Sequence, residues 1–194
     1  MSGLPRADAA EAVARAQGLI AEFCSEPAAF GTLAAVAAGD VPAPDRELLD
    51  HHGHMTVTME RHHRCAVSLA VVAERGGGDG ERYAREIMLA RPDGIVVQYG
   101  IVRIDLSVLD AGTAAAIRGR NLPLGRILIA AGVYCAVQRV RLLRIEPCSH
   151  LQALFGHDGR LHGRVAEIAV GGGPAIELLE VVVPALAPGR GAGR

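Results

Sequence analysis

The sequence predicts an α+β fold, an antiparallel sheet of about six strands with helices packed on one face. Three observations lead there. Half of the 194 residues are hydrophobic, yet only 3% are aromatic and none is Trp, so a large core must be built from Ala, Val, Leu and Ile. Over 55–184, runs rich in Val, Ile, Met and Leu are separated by short Gly-rich turns, as in consecutive antiparallel strands. Before that region, and again over 106–133, apolar residues recur at helical spacing.

In chain order, 7–24 predicts an amphipathic helix whose stripe is Ala10, Val13, Leu19, Ile20 and Phe23. Pro27 opens a second helical stretch ending near Gly39, Val41-Pro42-Ala43-Pro44 is extended, and Asp45 caps a short helix reaching Asp50. Strands are expected over 55–60, 65–74, 82–91 and 95–104, with hairpin loops at 76–80 and 92–94. Helices follow over 106–118 and 124–133. Strands resume over 138–146, 160–170 and 175–184, the last two joined across Gly171-Gly172-Gly173. Three regions result: an N-terminal helical extension over 1–44, an α+β domain over 45–184 and a Pro-, Gly- and Arg-rich tail over 185–194 that should fray.

Charge narrows the function. A net charge of -1 supplies no field for gripping a nucleic-acid backbone. All 20 cationic residues are Arg, and without Lys there is no Schiff base, pyridoxal-phosphate anchor or ordinary P-loop. Arg suits planar carboxylates instead, because its rigid fork bonds both oxygens. Cys24, Cys65, Cys135 and Cys148 are spread singly and are expected to be buried free thiols. Arg6, Asp8, Glu11, Arg15 and Glu22 interrupt any signal-peptide core, and no stretch approaches the roughly 18 apolar residues of a membrane span, so a cytoplasmic protein is expected.

Two charges fall on apolar strand faces. Alternation sets Arg85 with Tyr83, Ile87 and Leu89, and Glu180 with Ile176, Leu178 and Val182. They form one structural ion pair, or sit on faces that are not fully buried, or line one pocket, Arg85 clamping a carboxylate and Glu180 meeting the ligand's other end. Glu86 and Glu177 point to the opposite faces and are expected to be solvated. Arg139 and Arg141 share a face that reads as a charged outer surface. His51, His52, His54, His62 and His63 cluster in sequence, but no H-E-x-x-H and no nearby Cys pair accompanies them, so no metal is expected and capping, turn or pocket-rim roles are preferred. His54 stands beside Met55, at the mouth of the first expected strand. The glycine runs lie between strands rather than at helix starts, which speaks for hairpins over phosphate cradles.

Four motifs then occur in order: Leu48-Leu49-Asp50 followed by Met55-Thr56, Tyr83-Ala84-Arg85-Glu86-Ile87-Met88-Leu89, Leu122-Pro123-Leu124-Gly125-Arg126-Ile127-Leu128, and Glu180-Val181-Val182-Val183-Pro184. This ordered set resembles the chorismate lyase (chorismate pyruvate-lyase) family from about Leu48 to Pro184. The resemblance implies a six-stranded antiparallel sheet with helical flaps over a buried pocket. It implies that Arg85 binds a substrate carboxylate, that Glu180 faces the ring hydroxyl, and that main-chain groups at Met55 and Leu124 complete the site, with Gly125 and His54 beside them. His51-His52-Gly53-His54 replaces the family's usual acidic and small residues, and Gly100 is followed by Ile101 where the family often has Arg, with Arg103 two residues on.

The implied activity is a cofactor-free elimination of pyruvate from chorismate, or a related enolpyruvyl carboxylate, to give a hydroxybenzoate. The alternative is a non-catalytic binder of small aromatic carboxylates on the same fold. A similar fold serves as the sensing half of some transcription regulators, behind a winged-helix domain; with only 47 residues ahead of the match, that form is not expected here.

Overall fold

The computed structural model of the chain describes residues 4–76, 82–156 and 158–184. Seven strands, β1 (Gly31–Val36), β2 (Ser68–Gly76), β3 (Arg82–Ala90), β4 (Val96–Asp105), β5 (Cys135–Pro147), β6 (Leu161–Val170) and β7 (Gly173–Val182), form one sheet in the order β1-β5-β6-β7-β4-β3-β2. Every neighbouring pair is antiparallel. Among the described residues seven α-helices accompany it: α1 (Arg6–Ile20), α2 (Pro27–Phe30), α3 (Asp45–Leu49), α4 (Met55–His63), α5 (Ala111–Arg118), α6 (Leu124–Ala130) and α7 (Ser149–Phe155). None of the described helices is long and apolar enough to cross a membrane. The α+β class and antiparallel sheet agree with the sequence reading.

The helices occupy both faces of the sheet rather than one. On one face, Ala12, Ala16, Leu19 and Ile20 of α1, with Phe30, Leu151 and Phe155, pack on Tyr99, Ile101, Leu179 and Val181. On the other, α5 and α6 pack on Val102, Ile104, Ile176 and Leu178, while α3 and α4 pack on Leu89, Leu142 and Val182. Residues alternate between these cores along β4 and β7, so the central strands are buried on both sides.

That second cover corrects the reading of Glu86. Expected in solvent, it is 3% exposed, accepts a hydrogen bond from Tyr99 Oη at 2.6 Å, and faces His150 Nε2 at 3.1 Å. Burial and the adjoining Glu86 carboxylate push the Tyr99 phenol well above its ordinary pKa. Glu177 is half-buried and takes the Arg103 guanidinium through Nε at 2.8 Å. Arg139 pairs with Glu11 and Glu167, and Arg141 with Asp8 at 3.2 Å, so this outer surface clamps α1 to β5. A bulge separates Gln138 from Arg141.

Several elements differ from expectation. The stretch after Pro27 is helical only to Phe30 and then becomes β1, whose register runs from Gly31 opposite Pro147 to Val36 opposite Leu142. The expected 1–44 helical extension thus contributes a strand. The expected 55–60 strand is helix α4: Met55, Thr56 and Met59 form one buried stripe, and Arg61, His62 and His63 suit the negative end of the helix. His54 is therefore the N-cap residue of a helix, not the mouth of a strand. Asp45 is not a cap; Pro44 takes that position, and the Asp45 carboxylate lies 2.7 Å from His162 Nδ1. The 106–118 helix is divided because Asp105 accepts from Ser107 N and Asp110 caps α5 by accepting from Thr113 N at 2.9 Å. The cysteines are free, but Cys24, Cys65 and Cys135 are half-buried and Cys148 is exposed. The 77–80 part of the first hairpin loop and the 185–194 tail lie outside the described residues.

Tyr99→Phe deletes a donor to the buried Glu86 carboxylate without changing ring packing. It is expected to cost about 1–3 kcal/mol, read from the urea midpoint.

Candidate functional site

One cavity lies between the face of the sheet that bears Arg85 and the N-terminal ends of α4 and α6. Its walls include Arg85 and Ile87 of β3, Gln98, Gly100 and Val102 of β4, Arg164 of β6, and Leu178 and Glu180 of β7. His54, Met55, Leu124 and Gly125 form its cover. All six residues singled out from sequence thus surround a single space. Arg103, by contrast, points away to Glu22 and Glu177.

Arg85 is 1% exposed, and its Nη1 donates to the carbonyl of Ile117 at 3.3 Å. Its Nε is buried with no partner, and among the described residues no carboxylate pairs with it. Glu74, opposite Arg85 in the β2–β3 register, is engaged by Tyr83 Oη and by Arg120, each at 3.0 Å. Burial lowers the Arg85 pKa from the ordinary arginine value. A buried guanidinium left this way is short of an anion.

Glu180 is not the lone carboxylate that alternation suggested, nor does it pair with Arg85. Its Oε2 accepts from Arg164 Nε at 2.7 Å, and Gln98 Nε2 lies 3.5 Å from Oε1. Arg164 was not singled out from the sequence, although it is wholly buried. The signal was present: on β6 it alternates onto one face with Ala166 and Ile168, the same argument that selected Arg85. Arg164 also donates through Nη1 to the carbonyls of His51 (2.7 Å) and Leu49 (3.4 Å), and through Nη2 to that of Gly53 (3.2 Å). Gln98, likewise overlooked, has a buried Oε1 without a partner.

The cover is closely fitted. Gly125 permits it, because a Cβ there would lie 3.1 Å from His54 Cβ and 3.3 Å from Thr56 Oγ1. His54 caps α4 and Pro123 caps α6, neither with a side-chain hydrogen bond; the N–H groups of Val57 and Arg126 already bond back to the His54 and Pro123 carbonyls, which leaves the N–H groups of Met55, Thr56, Leu124 and Gly125 without a partner among the described residues. His54 Nε2 sits 3.5 Å from Cys135 Sγ, and His52 Nδ1 lies 3.1 Å from the carbonyl of Val137. Burial raises the Cys135 thiol pKa. His62 and His63 meet edge to face at the far end of α4. Among the described residues, no three His, Cys, Asp or Glu side chains group as a metal site.

Among the described residues the lining carries two guanidinium groups and one carboxylate, with helix N-termini adding positive potential. With His54 neutral, one positive charge remains unmatched, at Arg85. The space is about 50 Å³, well below the roughly 150 Å³ that holds a benzene ring. A ring-sized ligand therefore needs more room than this arrangement gives.

Solved structures share this fold. The chain aligns with PhnF from Mycobacterium smegmatis at a TM-score of 0.51 and 12% identity, covering 68% of this chain and 64% of that one. The chain thus spans just under two thirds of the whole PhnF chain. Against the effector domain of PhnF alone, the score and identity are the same and coverage of that chain is 89%. The architecture is the chorismate lyase-like α+β fold. No protein-family model matches the sequence, and no curated protein does.

Arg85→Met removes an uncompensated buried charge at similar volume, so the thermal midpoint of the ligand-free protein should rise or stay unchanged. A residue held only for stability would lower it.

A second prediction concerns pH. Burial, the largest influence on each, lowers the pKa values of His51, His54 and His63 from 6.5. The unfolded chain then binds more protons as pH falls through 6.5, so their contribution is fully present above that value and lost below it. Urea-derived stability should decline from about pH 7.5 to about pH 5.5, with a shallower slope in His54→Asn.

Proposed function

We propose that this chain is a binding domain for small aromatic carboxylates, working in the cytoplasm. The carboxylate would sit against Arg85 and the N-terminal N–H groups at Met55 and Leu124, with Gly125 and His54 closing over the ring. A hydroxyl or amine at the ligand's far end would donate to Glu180 or Gln98. The observation that carries this reading is the buried Arg85 guanidinium, which has no anionic partner among the described residues and lines an otherwise largely apolar cavity. The fold, shared with a domain described as an effector domain, accords with ligand binding.

A second reading is elimination of pyruvate from chorismate, favoured by Arg85 and Glu180 lining the same space. In that reaction the ring loses a proton as the enolpyruvyl C–O bond breaks, the ring becomes aromatic, and the released enolpyruvate becomes pyruvate. Positioning and charge stabilisation would supply most of the acceleration. Binding is preferred because Glu180 is already held by Arg164, which leaves a clamp more complete than a proton-transfer pair.

Calorimetric titration with 4-hydroxybenzoate and with phenol tests the clamp. The carboxylate should bind and phenol should not, and Arg85→Met should weaken binding by about 100-fold, as for a lost charge-assisted contact. Equal affinity for both ligands would reject the assignment. Incubation with chorismate tests the second reading: pyruvate release abolished by Arg85→Met would establish a lyase, and absence of release beside tight 4-hydroxybenzoate binding would leave the binder.

A further inference from the structure

Arg164 joins two regions distant in sequence. Its Nε faces the cavity through Glu180, while Nη1 and Nη2 hold the carbonyls of Leu49, His51 and Gly53. Those carbonyls belong to the segment from the end of α3 to His54, the N-cap residue of α4. The segment's other fastenings are slight: His52 Nδ1 at 3.1 Å from the Val137 carbonyl, and His54 Nε2 at 3.5 Å from Cys135 Sγ. Gly53 N–H donates back to His51 Nδ1 at 3.0 Å, within the segment itself.

We propose that Arg164 is a positioning residue that latches the cavity cover, transmitting the state of Glu180 to the 50–54 segment and so to α4. This deepens the ligand-binding reading, on which the role of the latch rests. Opening the cover far enough for a ring pulls the His51 and Gly53 carbonyls from Nη1 and Nη2, while Glu180 retains the guanidinium at Nε. A ligand hydroxyl or amine that donates to Glu180 fixes the carboxylate, keeps Arg164 aimed at the three carbonyls, and favours the closed cover. Only a planar guanidinium can serve a carboxylate on one edge and several carbonyls on the other; an ammonium is a point charge on a flexible stem.

The test is amide hydrogen exchange on the full chain, first without ligand. The amides of Asp50, His51, Val57 and Thr58 make backbone hydrogen bonds and report on the segment and the start of α4. Glu180→Gln and Arg164→Lys should each speed their exchange by about tenfold, leaving Val165 and Leu179 in the sheet unchanged. Glu180→Gln is the sharper variant, since the Glu180 carboxylate bonds no atom of the segment and leaves Arg164 in place. Exchange unchanged in Glu180→Gln, or accelerated uniformly through the sheet, overturns the latch. Adding 4-hydroxybenzoate should slow the same amides in the wild-type protein but not in Arg164→Lys; equal slowing in both also overturns it. If the wild-type protein fails to bind 4-hydroxybenzoate, the binding assignment fails, while the ligand-free comparison still decides the latch.

Discussion

Arg164 and Glu180 meet at 2.7 Å on adjacent central strands, and both the floor of the cavity and its cover depend on that contact. Burying either charge alone would be strongly unfavourable. Together, with three backbone carbonyls on the remaining guanidinium N–H groups, they form a satisfied polar unit within a hydrophobic layer. The unit neutralises the cavity's only carboxylate among the described lining residues. Arg85 therefore becomes its unmatched charge.

The sheet makes this arrangement possible by being covered on both faces. Adjacent residues of β3 serve different interiors: Arg85 enters the cavity, and Glu86 enters the opposite core with Tyr99 and His150. The α1 side gives the sheet a fixed back, through the packing of α1 on β4 and β7 and the pairs from Arg139 and Arg141 to α1. On the cavity side, the short helices α4 and α6 begin at the wall, with Met55 and Leu124 among the lining residues. A packed back and a cover made of separate short helices suit a site that must enlarge to admit a ring.

Much of the architecture was legible because strand periodicity is strong over 82–104 and 160–182, where alternation placed Arg85 and Glu180 on their correct faces. It failed where local signals compete with long-range pairing. The Gly31–Val36 segment is Ala-rich and compatible with helix, yet it pairs along β5. The Met55–His63 segment alternates Met and Thr like a strand, but its buried stripe is helical and its partners are α6 and the sheet. Glu86 was misread because nothing local reveals that α1, α2 and α7 cover its face.

The sequence by itself determined the α+β class, the antiparallel pairing of β2 with β3, β3 with β4 and β6 with β7, and the identities of two charges on apolar faces, since each follows from side-chain period and turn chemistry. Which charges meet was decided by tertiary structure. A regular hairpin closing at Gly171-Gly172 would set Arg164 opposite Leu179, on the face away from Glu180. Ala175 instead stands without a partner in the β6–β7 register, and the shift between Ile168 and Ala169 brings Arg164 opposite Glu180. One bulged residue thus moves the register by a single step, and because strand faces alternate at every residue, that step turns two separate charges into the pair that organises the cavity.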